Sequence, residues 1–253
     1  MNAPAFVRRA RPLLGTLVEV GLPSSTTAAN ADAFNAAFQT IEHAQACLSR
    51  FDASSDVSRF NALRRGHSLT VHPLTQQILE AAHALQMASA GLFDISLGSA
   101  PEGWRLDGLV LFKLSEEVRL DLGGIGKGYA VDLAVQALQQ QGCASGWVNA
   151  GGDMRAFGDI NAPVHLRCET SGGVRPFALL RDGAFATSAF GPAHRSHLAG
   201  RTASRLPSAH VSVAAPSCLW ADALTKVVAA SGDAAHPLLG RYGASAWLHS
   251  LQA

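Results

Sequence analysis

The chain has 253 residues, with 20 Lys and Arg against 19 Asp and Glu, a formal charge of +1. So even a balance removes the electrostatic case for nucleic acid. Apolar residues make up 48% and charged residues 15%, enough for a sizeable core, which excludes a disordered chain; the length admits one large domain or two lobes.

Cys47, Cys143, Cys168 and Cys218 stand far apart with no C-x-x-C pair, so the expectation is reduced, mostly buried thiols. The opening MNAPAFVRRARPLLGT places two arginines before a very short apolar stretch, whereas a secretory leader needs ~7–15 apolar residues and a small-residue cleavage site. No run approaches the ~18 consecutive apolar residues of a membrane span. The expectation is a cytoplasmic protein, or a periplasmic one if a leader has been removed.

After the basic start, Leu17-Val18-Glu19-Val20 alternates as a half-buried strand, and Ser24 to Thr27 offer helix caps. Phe34, Phe38, Ile41, Gln45 and Leu48 recur at helical spacing and predict a helix over 28–50. Further helices are expected over 74–90, 127–141 and 219–231. Strand-like runs are Val118–Leu122, Trp147–Asn149, Val164–Cys168, Phe177–Leu180, His210–Ala214 and Ala246–Leu248. Strands outnumber helices without alternating with them, which predicts an α+β fold with a largely antiparallel sheet and flanking helices. The Ser/Arg-rich stretch His194–Ser208 reads as a functional loop.

Four segments could carry chemistry. Leu120 to Ala130 passes from a strand through Gly123, Gly124, Gly126 and Gly128 into a helix with Lys127 in its first turn. Glycines allow close approach, a helix start favours anions and the lysine adds a charge, so a phosphate-bearing ligand fits; a plain tight turn fits as well. Gly128 stands where a P-loop needs Ser or Thr, and the spacing is not G-x-G-x-x-G. Val148 to Asp153 ends a strand in Gly151-Gly152-Asp153, either a turn or a backbone surface for a flat ligand. His194 and His197 are solvated loop residues, a metal pair or a general base, with His197 suited to take a proton from a hydroxyl. Asp222 and Lys226 stand at i,i+4, by default a surface ion pair, alternatively a cation site with Thr225 or Lys226 at its edge.

In order, these pieces resemble the ApbE family, the FAD:protein FMN transferases. The resemblance is carried by Leu14-Gly15-Thr16, Leu48 to Asp52, Asp56 to Asn61, Gly91 to Asp94, Asp121 to Ala130, Val148 to Asp153, Ala186-Thr187-Ser188, His197 and Ala221 to Leu224. It implies one ApbE-like domain over 1–253, an arrangement that two lobes around a ligand cleft would also satisfy. It further implies FAD bound in that cleft and Mg²⁺-assisted transfer of FMN to a Thr or Ser hydroxyl of a flavin-acceptor protein, with release of AMP. No nucleic acid and no membrane span are expected.

By the same resemblance His197 is the base and Asp222 the metal-binding carboxylate. The ligand pocket is assigned to Phe51, Asp52, Phe93, Asp94, Gly124, Lys127, Gly151, Gly152, Asp153, Thr187, Ser188 and Lys226. The metal set is Gly126, Asp222 and, if the helix register shifts, Thr225. Where the family carries a Thr four residues after the metal-binding Asp, this chain has Lys226, and an ammonium has donors only. The expectation is that Lys226 takes the metal's place and neutralises Asp222. The run after His197 also lacks the family's Asp-Pro, and Gly98–Val118 is shortened. Two alternatives therefore stand beside the transferase: a non-enzymatic FAD-binding carrier, sensor or assembly protein, and an FAD pyrophosphatase.

Overall fold

In the computed structural model, which describes residues 6–24, 30–167, 173–190 and 209–250, the basic N-terminal run is an edge strand. β1 (Phe6–Leu13) returns as β2 (Thr16–Pro23) through Leu14 and Gly15, both at positive φ (55° and 70°), the geometry of a two-residue hairpin turn. Arg8, Arg9 and Arg11 lie over the rings of Trp147, Phe34 and Phe38 at 5.3, 4.9 and 4.7 Å. Their apolar stems cover the sheet edge while their charges guard it against pairing with another chain.

α1 (Asn30–Leu48) follows, ending two residues before the expected 50, and buries Phe34, Phe38 and Ile41 completely. Each such side chain contributes about 1.5–3 kcal/mol of burial. α2 (Asp56–Ala62) is capped by the Ser55 hydroxyl, which accepts from Ser58 N. β3 (Ser68–Thr70), α3 (Pro73–Ala88), β4 (Trp104–Asp107) and β5 (Val110–Lys113) follow, the strands forming a three-stranded sheet ordered β3-β5-β4.

The second half supplies α4 (Gly126–Gln140), β6 (Gly146–Ala150), β7 (Asp153–Phe157), β8 (Ala162–Arg167), β9 (Val174–Leu180), β10 (Gly183–Phe190), β11 (Ala209–Ala215), α5 (Cys218–Ser231), α6 (Leu238–Arg241) and β12 (Ser245–Ser250). The main sheet has seven strands in the order β1-β2-β6-β7-β10-β11-β12, every neighbouring pair antiparallel. β8 and β9 form a separate hairpin. α4 and α5 pack against each other and against the sheet, and α1 packs on α4. One apolar cluster runs from Val18 and Val20 on β2 through these helices to Leu79 and Leu85 on α3.

The expected strand at Val118–Leu122 does not pair in a sheet. Its backbone is satisfied elsewhere: Asn61 spans Leu120 with its amide, donating to the carbonyl at 2.9 Å and accepting from the N–H at 2.7 Å, while Asp121 N donates to Ile95 O. A polar side chain has taken the place of a neighbouring strand. Cys168 and the 194–208 stretch lie outside the described residues; Cys47, Cys143 and Cys218 are free thiols. No helix among the described residues is long and apolar enough to cross a membrane.

Candidate functional site

The floor of the site is set by a helix crossing. A Cβ on Gly128 would stand 2.2 Å from the Cys218 carbonyl oxygen and 2.8 Å from Asp222 Cβ, so only glycine lets α4 lie this close to α5. One turn later Asp132 accepts from Cys218 N and Leu219 N, both at 2.9 Å, and so caps α5, whose own Ser217 gives no side-chain cap. Arg155 on β7 holds Asp132 at 2.7 Å.

This crossing brings two carboxylates and two ammonium groups together. Asp222 is fully buried, and its Oδ2 accepts from Gly128 N at 3.1 Å and lies 3.9 Å from Lys127 Nζ. Lys226 Nζ is held by Asp222 Oδ1, by the Asp222 carbonyl at 3.1 Å and by Ser188 Oγ at 3.0 Å. The pair expected at the surface is therefore buried, because α5 is apolar on nearly every side and packs under the sheet. Lys127 pairs with Asp153, whose Oδ1 is buried with no hydrogen-bond partner among the described residues.

Burial raises the Asp222 pKa, but the Lys127 and Lys226 ammoniums outweigh it and hold the carboxyl below its ordinary value. Asp153 is pushed up to about 6, by burial first and by Asp222 second, against the pull of Lys127. For Lys127, burial favours the neutral amine; the two carboxylates overcome this and raise its pKa, so it stays an ammonium.

Above this floor opens a cavity of about 910 Å³, at the large end for a small-molecule site. Lys127, Lys226, Gly124, Gly126, Thr187 and Ser188 line it together with Phe51, Phe93 and Asp94. Gly124 faces Lys226 and Phe93, where a Cβ would meet Cε of the lysine at 3.4 Å and the ring at 3.7 Å. The amides of the turn are mostly spent within it: Gly123 N donates to Asp121 Oδ1, Ile125 N and Gly126 N to Leu122 O, and Gly128 N to Asp222. Positive charge here comes from lysine side chains more than from a helix start.

Other expected residues play supporting parts. Asp94 is buried and accepts from Ser96 N, Ser96 Oγ and Gly98 N, so it shapes the cavity wall. Asp52 is outside the lining; its carboxylate binds the Ser54 hydroxyl and amide, which lower its pKa. Gly151 and Gly152 make the β6–β7 turn, both at positive φ, and do not line the cavity. Thr225 Oγ1 bonds its own helix carbonyl at Asp222 (2.7 Å) and Ser188 Oγ (2.9 Å), and is not free to ligate. His194 and His197 lie outside the described residues.

Gln45 and Arg50 are among the lining residues that the sequence does not assign to the pocket. Gln45 accepts from Leu14 N at 2.6 Å, pinning the β1–β2 turn to α1, and Arg50 Nε meets Asp121 Oδ2 at 3.0 Å across the mouth. A polar Gln45 at an otherwise apolar helical spacing was the available signal.

Comparison with known proteins gives consistent findings. The profile of the ApbE family matches residues 14–112 and 105–246. An FAD:protein FMN transferase of Rhodobacter capsulatus is 30% identical over 128 residues, 39% of this chain and 24% of that protein. One of Klebsiella pneumoniae (strain 342) is 25% identical over 151 residues, 48% of each. The chain thus spans less than half the length of these curated relatives in alignment. Among solved structures, Pseudomonas stutzeri flavinyl transferase ApbE superposes with a TM-score of 0.81 at 22% identity, over 98% of this chain and 92% of that one. Flavin transferase ApbE from Vibrio cholerae gives 0.83 at 19%, over 97% and 93%. At these identities the likeness establishes the fold.

Proposed function

The chain belongs to the ApbE family, and on that premise we propose that it moves FMN from FAD to a Thr or Ser hydroxyl of a flavin-acceptor protein, releasing AMP. The observation that carries this reading is the pair of ammonium groups, Lys127 and Lys226, lining a cavity together with apolar side chains. That combination suits a ligand with a diphosphate in its middle and flat rings beyond it. We read residues 1–253 as one domain, the site being built from both halves.

In the reaction the acceptor oxygen attacks the phosphorus on the riboflavin side of the diphosphate. The P–O bond to AMP breaks, AMP leaves with the electron pair, and the hydroxyl proton passes to a base. His197 is retained for that role. Charge spreads over the phosphoryl oxygens and the leaving group in the transition state, and fixed cations aimed there lower the barrier. Lys127, held cationic by Asp153 and Asp222, and Lys226 supply those charges. Phe51 and Phe93 give the rings apolar surface.

A resident Mg²⁺ does not fit these residues. Asp222 Oδ1, Asp222 O and Ser188 Oγ all face Lys226 Nζ, Asp222 Oδ2 accepts from Gly128 N, and Thr225 is turned away, which leaves Asp153 Oδ1 as the one carboxylate oxygen of the floor without a partner among the described residues. Two ammoniums already balance two carboxylates, so a divalent ion would add +2 to a closed account. No step is routed through a metal.

Incubation with FAD and a threonine-bearing acceptor, in the presence of a chelator, tests the reading. AMP with an acceptor mass gain of one phosphoryl-bound flavin supports transfer. AMP with free FMN would instead support a pyrophosphatase, and FAD binding without AMP a carrier. Calorimetric titration with Mg²⁺ should show no binding to the wild-type cage, and Lys226→Thr should create it; tight wild-type binding at Asp222 would reject the substitution of amine for ion.

A further inference from the structure

Away from the cavity floor, α1 and the start of α3 bring together three side chains that the flavin chemistry does not use. His43 and Cys47 lie one turn apart on α1, and His72 is the N-cap of α3. His43 Nε2 and His72 Nε2 are 3.3 Å apart, the rings stand edge to face with centroids at 4.7 Å, and one ring nitrogen of each histidine and Cys47 Sγ all lie within 4.8 Å of one another.

A tetrahedral ion with metal–nitrogen bonds of about 2.0–2.1 Å sets two nitrogen ligands roughly 3.3–3.4 Å apart. The Nε2 separation already has that value, so the two nitrogens are spaced for one ion. Two imidazoles and a thiol are also a ligand set that borderline-soft divalent ions prefer to hard ones.

We propose that His43, Cys47 and His72 form a binding site for a zinc-class divalent ion, with a water completing four ligands. The ion staples the last turns of α1 to the first turn of α3. His72 Nδ1 accepts from Leu74 N at 3.1 Å, so in the empty site its ring proton is on Nε2 and points to His43. Loading replaces that proton: it moves to Nδ1 at the cost of the cap bond, and the Cys47 proton passes to water. The backbone of His72 does not depend on that cap, because His72 N donates to Asp56 Oδ2 at 2.7 Å and Thr75 Oγ1 donates to the same oxygen at 2.7 Å.

The probe is Co²⁺, which reports a thiolate ligand by a charge-transfer band, followed by displacement with Zn²⁺. The chelator-stripped chain should take up one Co²⁺ with that band and lose it to Zn²⁺. Cys47→Ser should abolish the band and Cys143→Ser should leave it. His43→Ala, at an exposed position, should weaken binding about tenfold or more, since even outer partners of ligands cost that much. Zn²⁺ should raise the thermal midpoint of wild type and not of His43→Ala. Absence of the band at saturating Co²⁺, or its persistence in Cys47→Ser, overturns the site. Cobalt held by the Asp222 oxygens would lack the band and so counts against it. FAD binding is a separate readout, and the site stands or falls without it.

Discussion

The floor and the mouth of the cavity are built on opposite principles. At the floor, Asp222 is fully buried and Asp153 nearly so, and each is paired with a lysine fixed by the α4–α5 crossing. At the mouth, Phe51 is 83% exposed, under the guanidinium of Arg50 at 4.4 Å, itself tied to Asp121. Charges held in place by ion pairs need no rearrangement when charge develops on a substrate. A loosely held ring at the rim can adjust to whatever enters. On the proposed reading, chemistry falls where side chains are buried and paired, and recognition where they are exposed.

Removing a floor charge should break this contrast most sharply. Lys226→Met leaves Asp222 buried with Lys127 only at 3.9 Å, and breaking a buried pair costs about 3–5 kcal/mol. Urea denaturation should show that loss, whereas Phe51→Ala should stay within about 0.5 kcal/mol of wild type. Equal effects at the two places would dissolve the distinction.

Next in size is the crossing itself. Gly128→Ala puts a Cβ against the Cys218 backbone, which cannot yield as a side chain can, and overpacking of this kind costs about 1–3 kcal/mol. Gly124→Ala meets the flexible end of Lys226 at 3.4 Å and should cost less than Gly128→Ala in the same assay. The reverse order would show that the turn, not the crossing, sets the floor.

The mouth has its own test. Phe51→Ala should leave stability alone and weaken FAD binding by about 1 kcal/mol, the scale of losing one aromatic face against a flat ring. Equilibrium dialysis or flavin fluorescence reads it. Unchanged affinity would remove Phe51 from the site.

How far the sequence shows these regions differs for a physical reason. Periodicity located α1, α3 and α4, because each has an apolar stripe that must be covered, whereas α5 was expected from its position and is apolar on nearly every side. It overlooked β1, whose arginines hide their apolar stems on neighbouring rings, and it assigned Val118–Leu122 to a sheet because a side-chain clamp from Asn61 leaves no periodic trace. Lys226 beside Asp222 was visible as an i,i+4 pair, but its burial was not, since that comes from what α5 packs against. Asp153 could be read as a turn residue at the end of its strand; its ion pair with Lys127, 26 residues earlier, exists only in three dimensions.

That ion pair yields the smallest and most discriminating prediction. Asp153 titrates in the folded protein at about 6 because burial and Asp222 disfavour its charge, while in an unfolded chain an aspartate titrates near ~3.9. Between those values the folded state binds the extra proton, so this group's contribution to stability declines as pH rises from about 4 to about 6 and is constant above. Ligand affinity follows from the same proton. With Asp153 ionised, two carboxylates cancel two ammoniums; with it protonated, Lys127 loses its partner's charge and the floor carries +1. FAD, whose diphosphate keeps its charge across this range, should therefore bind more tightly as pH falls from 7 to 5. One unit charge a few ångströms away under solvent screening is worth about 1 kcal/mol, roughly fivefold in Kd. Asp153→Asn fixes the neutral form and should bind FAD tightly at both pH values, with the slope gone. A slope that survives in Asp153→Asn would put the proton on another group and would separate the floor's electrostatics from its buried acid.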